Sequence, residues 1–216
     1  FRRKGEFTSN AAEAGGFFRS SDEEAVPDIQ WHFLPAPNGQ HGLDLSGVMT
    51  RYGYCLMSYD LRPASRGVVG LNSADPLAPP RIDPNYAAEA RDVARLVQAI
   101  RETRRVLAQP ALDAHRGVEI APGAHLQSDE ELADYVRRTA EIAYHPVGTC
   151  RMGPAGDTSS VVDARLRVHG VQRLRVVDCS IMPTVPGSNT NAPATMIGEK
   201  GADMILEDAD RLHAEG

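Results

Sequence analysis

The strongest constraint in this sequence is a histidine that a helix cannot carry onward. In Tyr144-His145-Pro146-Val147-Gly148-Thr149-Cys150-Arg151-Met152-Gly153, His145 follows a helical pattern and meets Pro146 and Gly148 at once. Proline removes a helical donor and glycine favours turns, so the helix must stop and a turn must hold the histidine. Its imidazole is then expected to project into a cleft rather than pack on a helix face. Neutral imidazole is the usual general base near neutral pH. Further on, Asn189-Thr190-Asn191-Ala192-Pro193 puts two carboxamides just ahead of a second helical pattern. A carboxamide opposite the imidazole donates to an alkoxide without titrating. Each residue also has a plain role: His145 capping a turn, Asn189 in a turn, Asn191 as a helix cap.

The rest of the chain changes period once. Residues 1–26 are polar and Gly-rich, and the charge run Ser20-Ser21-Asp22-Glu23-Glu24 reads as a solvated loop. Ile29, Trp31, Phe33 and Leu34 predict a strand stopped by Pro35 and Pro37. Residues 38–47 read as loop, Tyr52 to Leu61 as a half-buried strand, Gly67 to Leu71 as a short strand, and Ala74 to Asp83 as a Pro-rich connection. Together they predict an antiparallel sheet, with Trp31, Tyr52, Tyr54 and Tyr59 as its packing aromatics. Then Val93, Leu96, Val97, Ile100 and Leu107 recur at helical spacing up to Pro110. Arg91, Arg95, Arg101, Arg104 and Arg105 fall largely on other faces and read as solvated. A second helix starts at Ser128, with Glu131 completing a capping box and Leu132, Tyr135, Val136 and Thr139 facing inward. After Gly153 come three Val-rich runs, of which Leu174 to Asp178 is apolar enough to predict a buried strand of a parallel sheet. The final helix is expected from near Pro193 to about Glu207. Gly198 and Gly201 cost it stability, which close packing against a sheet or a cofactor explains.

Composition excludes several classes. At 216 residues the chain is long enough for one or two domains. A net charge of -6 argues against a nucleic-acid surface. No apolar run reaches the length of a membrane span, so no transmembrane segment is expected. Cys55, Cys150 and Cys179 are odd in number and widely spaced, which fits neither a disulfide framework nor a zinc site. A reducing, cytoplasmic setting is the simple reading. No Gly-x-Ser-x-Gly elbow supports a hydrolase, and no His and Cys spacing supports a metal site.

Several motifs in fixed order now carry a resemblance. His145 to Gly153 is followed by Val161-Val162-Asp163, Leu166-Arg167-Val168-His169-Gly170-Val171, Leu174-Arg175-Val176-Val177-Asp178-Cys179-Ser180-Ile181-Met182-Pro183, and Asn189 to Lys200. This series closely resembles the end of the glucose–methanol–choline oxidoreductases, FAD-dependent alcohol oxidases and dehydrogenases. Leu61-Arg62-Pro63-Ala64-Ser65-Arg66-Gly67 and Ile82-Asp83-Pro84-Asn85-Tyr86 look like the same family's substrate domain. The likeness runs from about Thr8 to about Asp208, and the Asn-x-Asn-Ala-Pro context resembles the choline and aliphatic alcohol dehydrogenase branch.

The resemblance implies an α/β fold: an α+β substrate-binding sheet in residues 1–140, then in 141–216 the catalytic loop and a return into a Rossmann-like FAD domain. The family's dinucleotide fingerprint, Gly-x-Gly-x-x-Gly, does not occur here. The chain is therefore expected to be the C-terminal part of a longer enzyme, partnered by the N-terminal FAD-binding part. The implied reaction is oxidation of a small primary alcohol to an aldehyde, with His145 as base and Asn189 as its partner. Tyr144, Asp178, Cys179, Asn189, Thr190 and Asn191 are implied to touch the FAD, with Cys179 standing where the family commonly has Gly or Ala. The alternative is a truncated, non-catalytic piece that does not bind FAD by itself.

Overall fold

The computed structural model describes residues 9–37 and 52–214. The expected loop at 38–47 and the first eight residues lie outside the described residues. The chain divides into two compact units, Phe1–Gly67 with Pro84–Glu141, and Val68–Asp83 with Ile142–Gly216.

In the first unit a three-stranded antiparallel sheet has the order β1 (Ala14–Phe18), β2 (Ile29–Leu34), β3 (Cys55–Asp60). Strand β1 was expected to be loop. Ala14-Gly15-Gly16 gives it little β propensity, and pairing decides it: Gly15 sits opposite His32 and Gly16 opposite Trp31. A Cβ on Gly15 would meet the Trp31 carbonyl oxygen at 2.5 Å, so glycine is what lets β1 approach β2. Trp31 stacks on Phe18 with ring centroids 4.2 Å apart. Its Nε1 donates to Ser58 Oγ at 3.1 Å and to Thr103 Oγ1 at 2.9 Å, which ties the sheet to helix α1 (Ala90–Leu107). Helix α2 (Asp129–Thr139) opens with the expected capping box at Ser128 and Glu131. Val93 and Val97 of α1 pack with Leu132 and Val136 of α2 in one buried cluster. Tyr135 is half-buried, while Thr139 is exposed and bonds back to the Tyr135 carbonyl.

The solvated reading of the arginines fails at Arg95, which is 4% exposed. Its guanidinium pairs with Glu24, with Asp28 at 2.9 Å and with Asp60 at 3.6 Å, and donates to the Arg62 carbonyl at 3.0 Å. Glu24 is correspondingly not a solvated loop residue, since Arg91 holds it as well. A buried cation is tolerable only with such partners, and sequence spacing could not show that three carboxylates from distant segments converge there. Beside it, buried Asp92 accepts the N–H groups of Ala64 and Ser65, both at 2.8 Å, and fixes the 61–67 motif.

The second unit contains the two-stranded antiparallel β4 (Val68–Gly70) and β5 (Arg81–Asp83). The Pro-rich connection thus ends in a strand. Its core is Val162, Leu166, Ile181, Met182 and Ile197. The predicted parallel strand at 174–178 does not form among the described residues. That run carries a single antiparallel bridge, Arg167 to Arg175, and Val176 N–H donates to the Leu166 carbonyl at 3.1 Å. Apolarity makes a segment buried, but a parallel ladder also needs a neighbouring strand, and here the neighbour is an irregular hairpin. Val176 and Val177 are half-buried against the core. Helix α3 (Asn191–Ala214) starts two residues earlier and ends later than expected. It lies on this core through Ile197 and Gly201.

Candidate active site

Every residue singled out for catalysis or cofactor contact belongs to the second unit, so its own packing sets the site. The loop after His145 is clipped to the segment 180–182. Cys150 N–H donates to the Ser180 carbonyl at 3.0 Å, and Met152 N–H to the Ile181 carbonyl at 2.7 Å. Gly148 has φ of 88°, and a Cβ there would stand 3.3 Å from the Met182 carbonyl oxygen. Glycine supplies both the turn and the close approach. Tyr144 also has positive φ, 61°, which reverses the chain just before His145. Asp178 caps the 3₁₀ turn Cys179–Ile181, its carboxylate accepting the Ser180 N–H at 2.7 Å. That turn leads through Pro183, Pro186 and Gly187 to Asn189.

The two ends of this path meet at the imidazole. Asn189 Nδ2 lies 2.7 Å from His145 Nε2. Thr190 Oγ1 lies 2.9 Å from His145 Nδ1, and the Thr190 N–H points at the same nitrogen from 3.5 Å. Both ring nitrogens therefore have neighbours on one short segment. His145 is half-buried, Asn189 exposed, and Thr190 only 8% exposed. The imidazole is thus held at Nδ1 by a buried threonine and at Nε2 by an exposed asparagine. The two residues read as partners from the sequence are in direct contact.

Thr190 carries the least expected geometry. It was linked to the cofactor, not to the histidine. The signal was its place immediately before the helix, where Ala194 N–H donates to its carbonyl at 2.9 Å as the first helical bond. Asn191 is the first residue of α3, and its side chain is exposed. Cys179 is half-buried with Sγ 3.9 Å from the Thr190 carbonyl oxygen, and it packs on the core. None of the three cysteines forms a disulfide. Tyr144 and Asp178 are exposed. Among the described residues no His, Cys, Asp or Glu group could hold a metal ion, and no helix is long and apolar enough to cross a membrane.

Chemically, a half-buried imidazole with an amide at Nε2 can take or hold a proton on a small hydroxyl compound entering from the exposed side. The donor set around it is neutral. Asn189, Asn191 and the N–H groups that the first turn of α3 leaves without helical acceptors suit a carbonyl edge with partial negative charge. The Asp178 carboxylate, an acceptor, suits sugar-like hydroxyls.

The comparisons agree on one family. A family model described as GMC oxidoreductase matches residues 63–198. An alcohol dehydrogenase [acceptor] of Pseudomonas putida is 46% identical over 210 residues, 97% of this chain and 37% of that protein. An oxygen-dependent choline dehydrogenase of Chromohalobacter salexigens is 45% identical over 208 residues, 95% of this chain and 36% of that protein. Among solved structures, pyridoxine 4-oxidase from Mesorbium loti superposes with a TM-score of 0.79 at 30% identity, over 91% of this chain and 38% of that one. A fungal aryl-alcohol oxidase gives 0.70 at 34% identity, over 85% and 28%. The chain thus spans little more than a third of the length of these curated relatives.

Proposed function

The chain belongs to the GMC oxidoreductase family, and on that premise we propose that it is the C-terminal part of an FAD-dependent oxidoreductase oxidising a primary alcohol to an aldehyde. The alcohol is choline-like, aliphatic or aromatic, in keeping with the alcohol and choline dehydrogenases it is similar to. The observation that carries the reading is the contact of Asn189 Nδ2 with His145 Nε2 at 2.7 Å.

A neutral alcohol is a poor hydride donor and an alkoxide a much better one. In this mechanism the substrate hydroxyl enters between Nε2 and the Asn189 amide and replaces a hydrogen bond that already exists. His145 Nε2 takes the hydroxyl proton, a step typically worth roughly 10²–10⁴-fold. Asn189 Nδ2 donates to the alkoxide oxygen and holds its charge without titrating. Bound FAD supplies the hydride acceptor. Asn189, Thr190 and Asn191 at the start of α3 would hold the flavin ring, with Tyr144 beside it, and the helix dipole favours negative charge there by about 0.3–1 kcal/mol at exposed sites. Asp178 and Cys179 would meet its hydroxylated chain. The proposal includes an N-terminal FAD-binding part of the same enzyme, residues 1–140 as a substrate-binding domain, and a cytoplasmic setting.

The test is stopped-flow reduction of the flavin-loaded enzyme by a panel of primary alcohols including choline. A His145→Ala variant is expected to keep its FAD and reduce it orders of magnitude more slowly. A rate within a few-fold of wild type with the best alcohol removes His145 as the base.

A further inference from the structure

We propose that Thr190 is the positioning residue of the histidine: its hydroxyl accepts the ring proton at Nδ1, and this leaves the Nε2 lone pair for the substrate. The inference rests on the reading of His145 as the base. It starts from what a threonine at this place in a helix ordinarily does. Directly before the first helical residue, its Oγ1 would turn inward to accept an N–H of the first turn. Here Oγ1 lies 2.9 Å from the imidazole instead.

Thr190 is well built for holding a ring. Its side chain is β-branched, with few χ1 choices, and the residue is 8% exposed. Its carbonyl takes the Ala194 N–H at 2.9 Å, which fixes the backbone to α3. Helix α3 in turn is seated by Ile197 in the core and by Gly201 against Val177. The position of Nδ1 is therefore set by the core of the unit, not by a mobile side chain.

The hydrogen-bond roles are assigned from the two shortest contacts of the ring. A neutral imidazole has one donor and one acceptor nitrogen. Asn189 Nδ2 can only donate, and it stands 2.7 Å from Nε2, so Nε2 is the acceptor. Nδ1 then carries the proton and donates to Thr190 Oγ1. The Thr190 N–H competes for Nδ1, but at 3.5 Å it is at the edge of hydrogen-bond range, whereas the hydroxyl is at an ordinary distance. A hydroxyl also orients the ring without adding charge. A carboxylate in its place would favour the imidazolium, the form that cannot accept a proton.

The experiment compares wild type, Thr190→Ser and Thr190→Val in the flavin-loaded enzyme. The His145 imidazole nitrogens are read by ¹⁵N NMR, assigned by loss of their signals in His145→Gln, and flavin reduction is followed by stopped flow. The neutral wild-type ring is expected to show its proton on Nδ1. Thr190→Ser should keep that signature and a rate within a few-fold. Thr190→Val should lose it and slow reduction, measured per bound flavin, by about 10- to 100-fold, part of what a positioned base supplies. A wild-type spectrum with the proton on Nε2 overturns the inference, and it does so even where Thr190→Val does not fold. So does a folded Thr190→Val that reduces flavin as fast as wild type. Failure of the base reading looks different: His145→Gln would then keep the wild-type rate.

Discussion

His145 and Asn189 stand 44 positions apart in the chain and 2.7 Å apart in space, joined through Nε2 and Nδ2. The clip of Cys150 and Met152 onto Ser180 and Ile181 makes this possible, because it lays the two loops side by side before either side chain is placed.

The pair sets the first prediction. Asn189→Ala removes the donor to the forming alkoxide and is expected to slow flavin reduction by about 10²-fold, the scale of one lost oxyanion donor. Asn189→His restores a donor at the same place and should retain part of the activity. Equal rates for wild type and Asn189→Ala in single-turnover reduction would remove the amide from the mechanism.

Asp60 predicts a pH dependence of stability. Burial pushes its carboxyl up to about 6 from 3.8, against the opposing Arg62 N–H and Arg95 charge. The folded chain therefore binds this proton more tightly than the unfolded chain between about pH 4 and pH 6. The cost of ionising Asp60 is absent below that window and complete above it, on the order of 3 kcal/mol. Asp60→Asn cannot ionise and keeps an acceptor for Arg62. Its stability relative to wild type in urea unfolding is expected to rise from about pH 3.5, below the window, to about pH 7.5, above it. A difference that does not change with pH contradicts the assignment.

Two glycines of α3 separate in their predicted behaviour. A Cβ on Gly201 would stand 2.3 Å from Val177 Cγ1, while nothing lies within 4 Å of one on Gly198. Gly201→Ala is expected to destabilise by about 1–3 kcal/mol through overpacking. Val177→Ala in the same chain should relieve part of that. Gly198→Ala should gain a few tenths to about 1 kcal/mol of helix stability. Thermal or urea unfolding of these three variants decides it, and an unaffected Gly201→Ala would mean that α3 does not sit this close.

Asp208 gathers Arg165, Arg167 and Arg175 at the far end of α3. The hydrogen bond from Arg167, with the other two charges, holds its carboxyl at about 2 against partial desolvation. A carboxyl held below its unfolded value contributes stability above about pH 4, and that contribution is lost as the pH falls towards 2. Asp208→Asn should therefore raise amide exchange in the last turns of α3 at neutral pH and make less difference in strong acid. Unchanged exchange at Ile205 to Arg211 would show that the cluster holds nothing in place.

The sequence by itself determined where α2 is capped and which side-chain types the site offers. Ser128 and Glu131 cap α2 from four residues alone, and a histidine and a carboxamide advertise their chemistry by type, although α2 already ends at Thr139, before Pro146 and Gly148 could stop it. Ordered motifs carried the family. Tertiary structure alone decided what depends on distant partners. Strand β1 exists because Gly15 and Gly16 fit against β2, although their own propensity opposes it. The apolar run at 174–178 is only half-buried at its centre and does not become a parallel strand, since a ladder needs a neighbour that no local pattern encodes. Arg95 reads as solvated by helical spacing and is buried, because Glu24, Asp28 and Asp60 reach it from other segments. Thr190 reads as a residue ahead of a helix, and only the folded chain turns its hydroxyl onto Nδ1 of His145. Periodicity records which side of an element is apolar; it holds no information about which polar group waits on the other side.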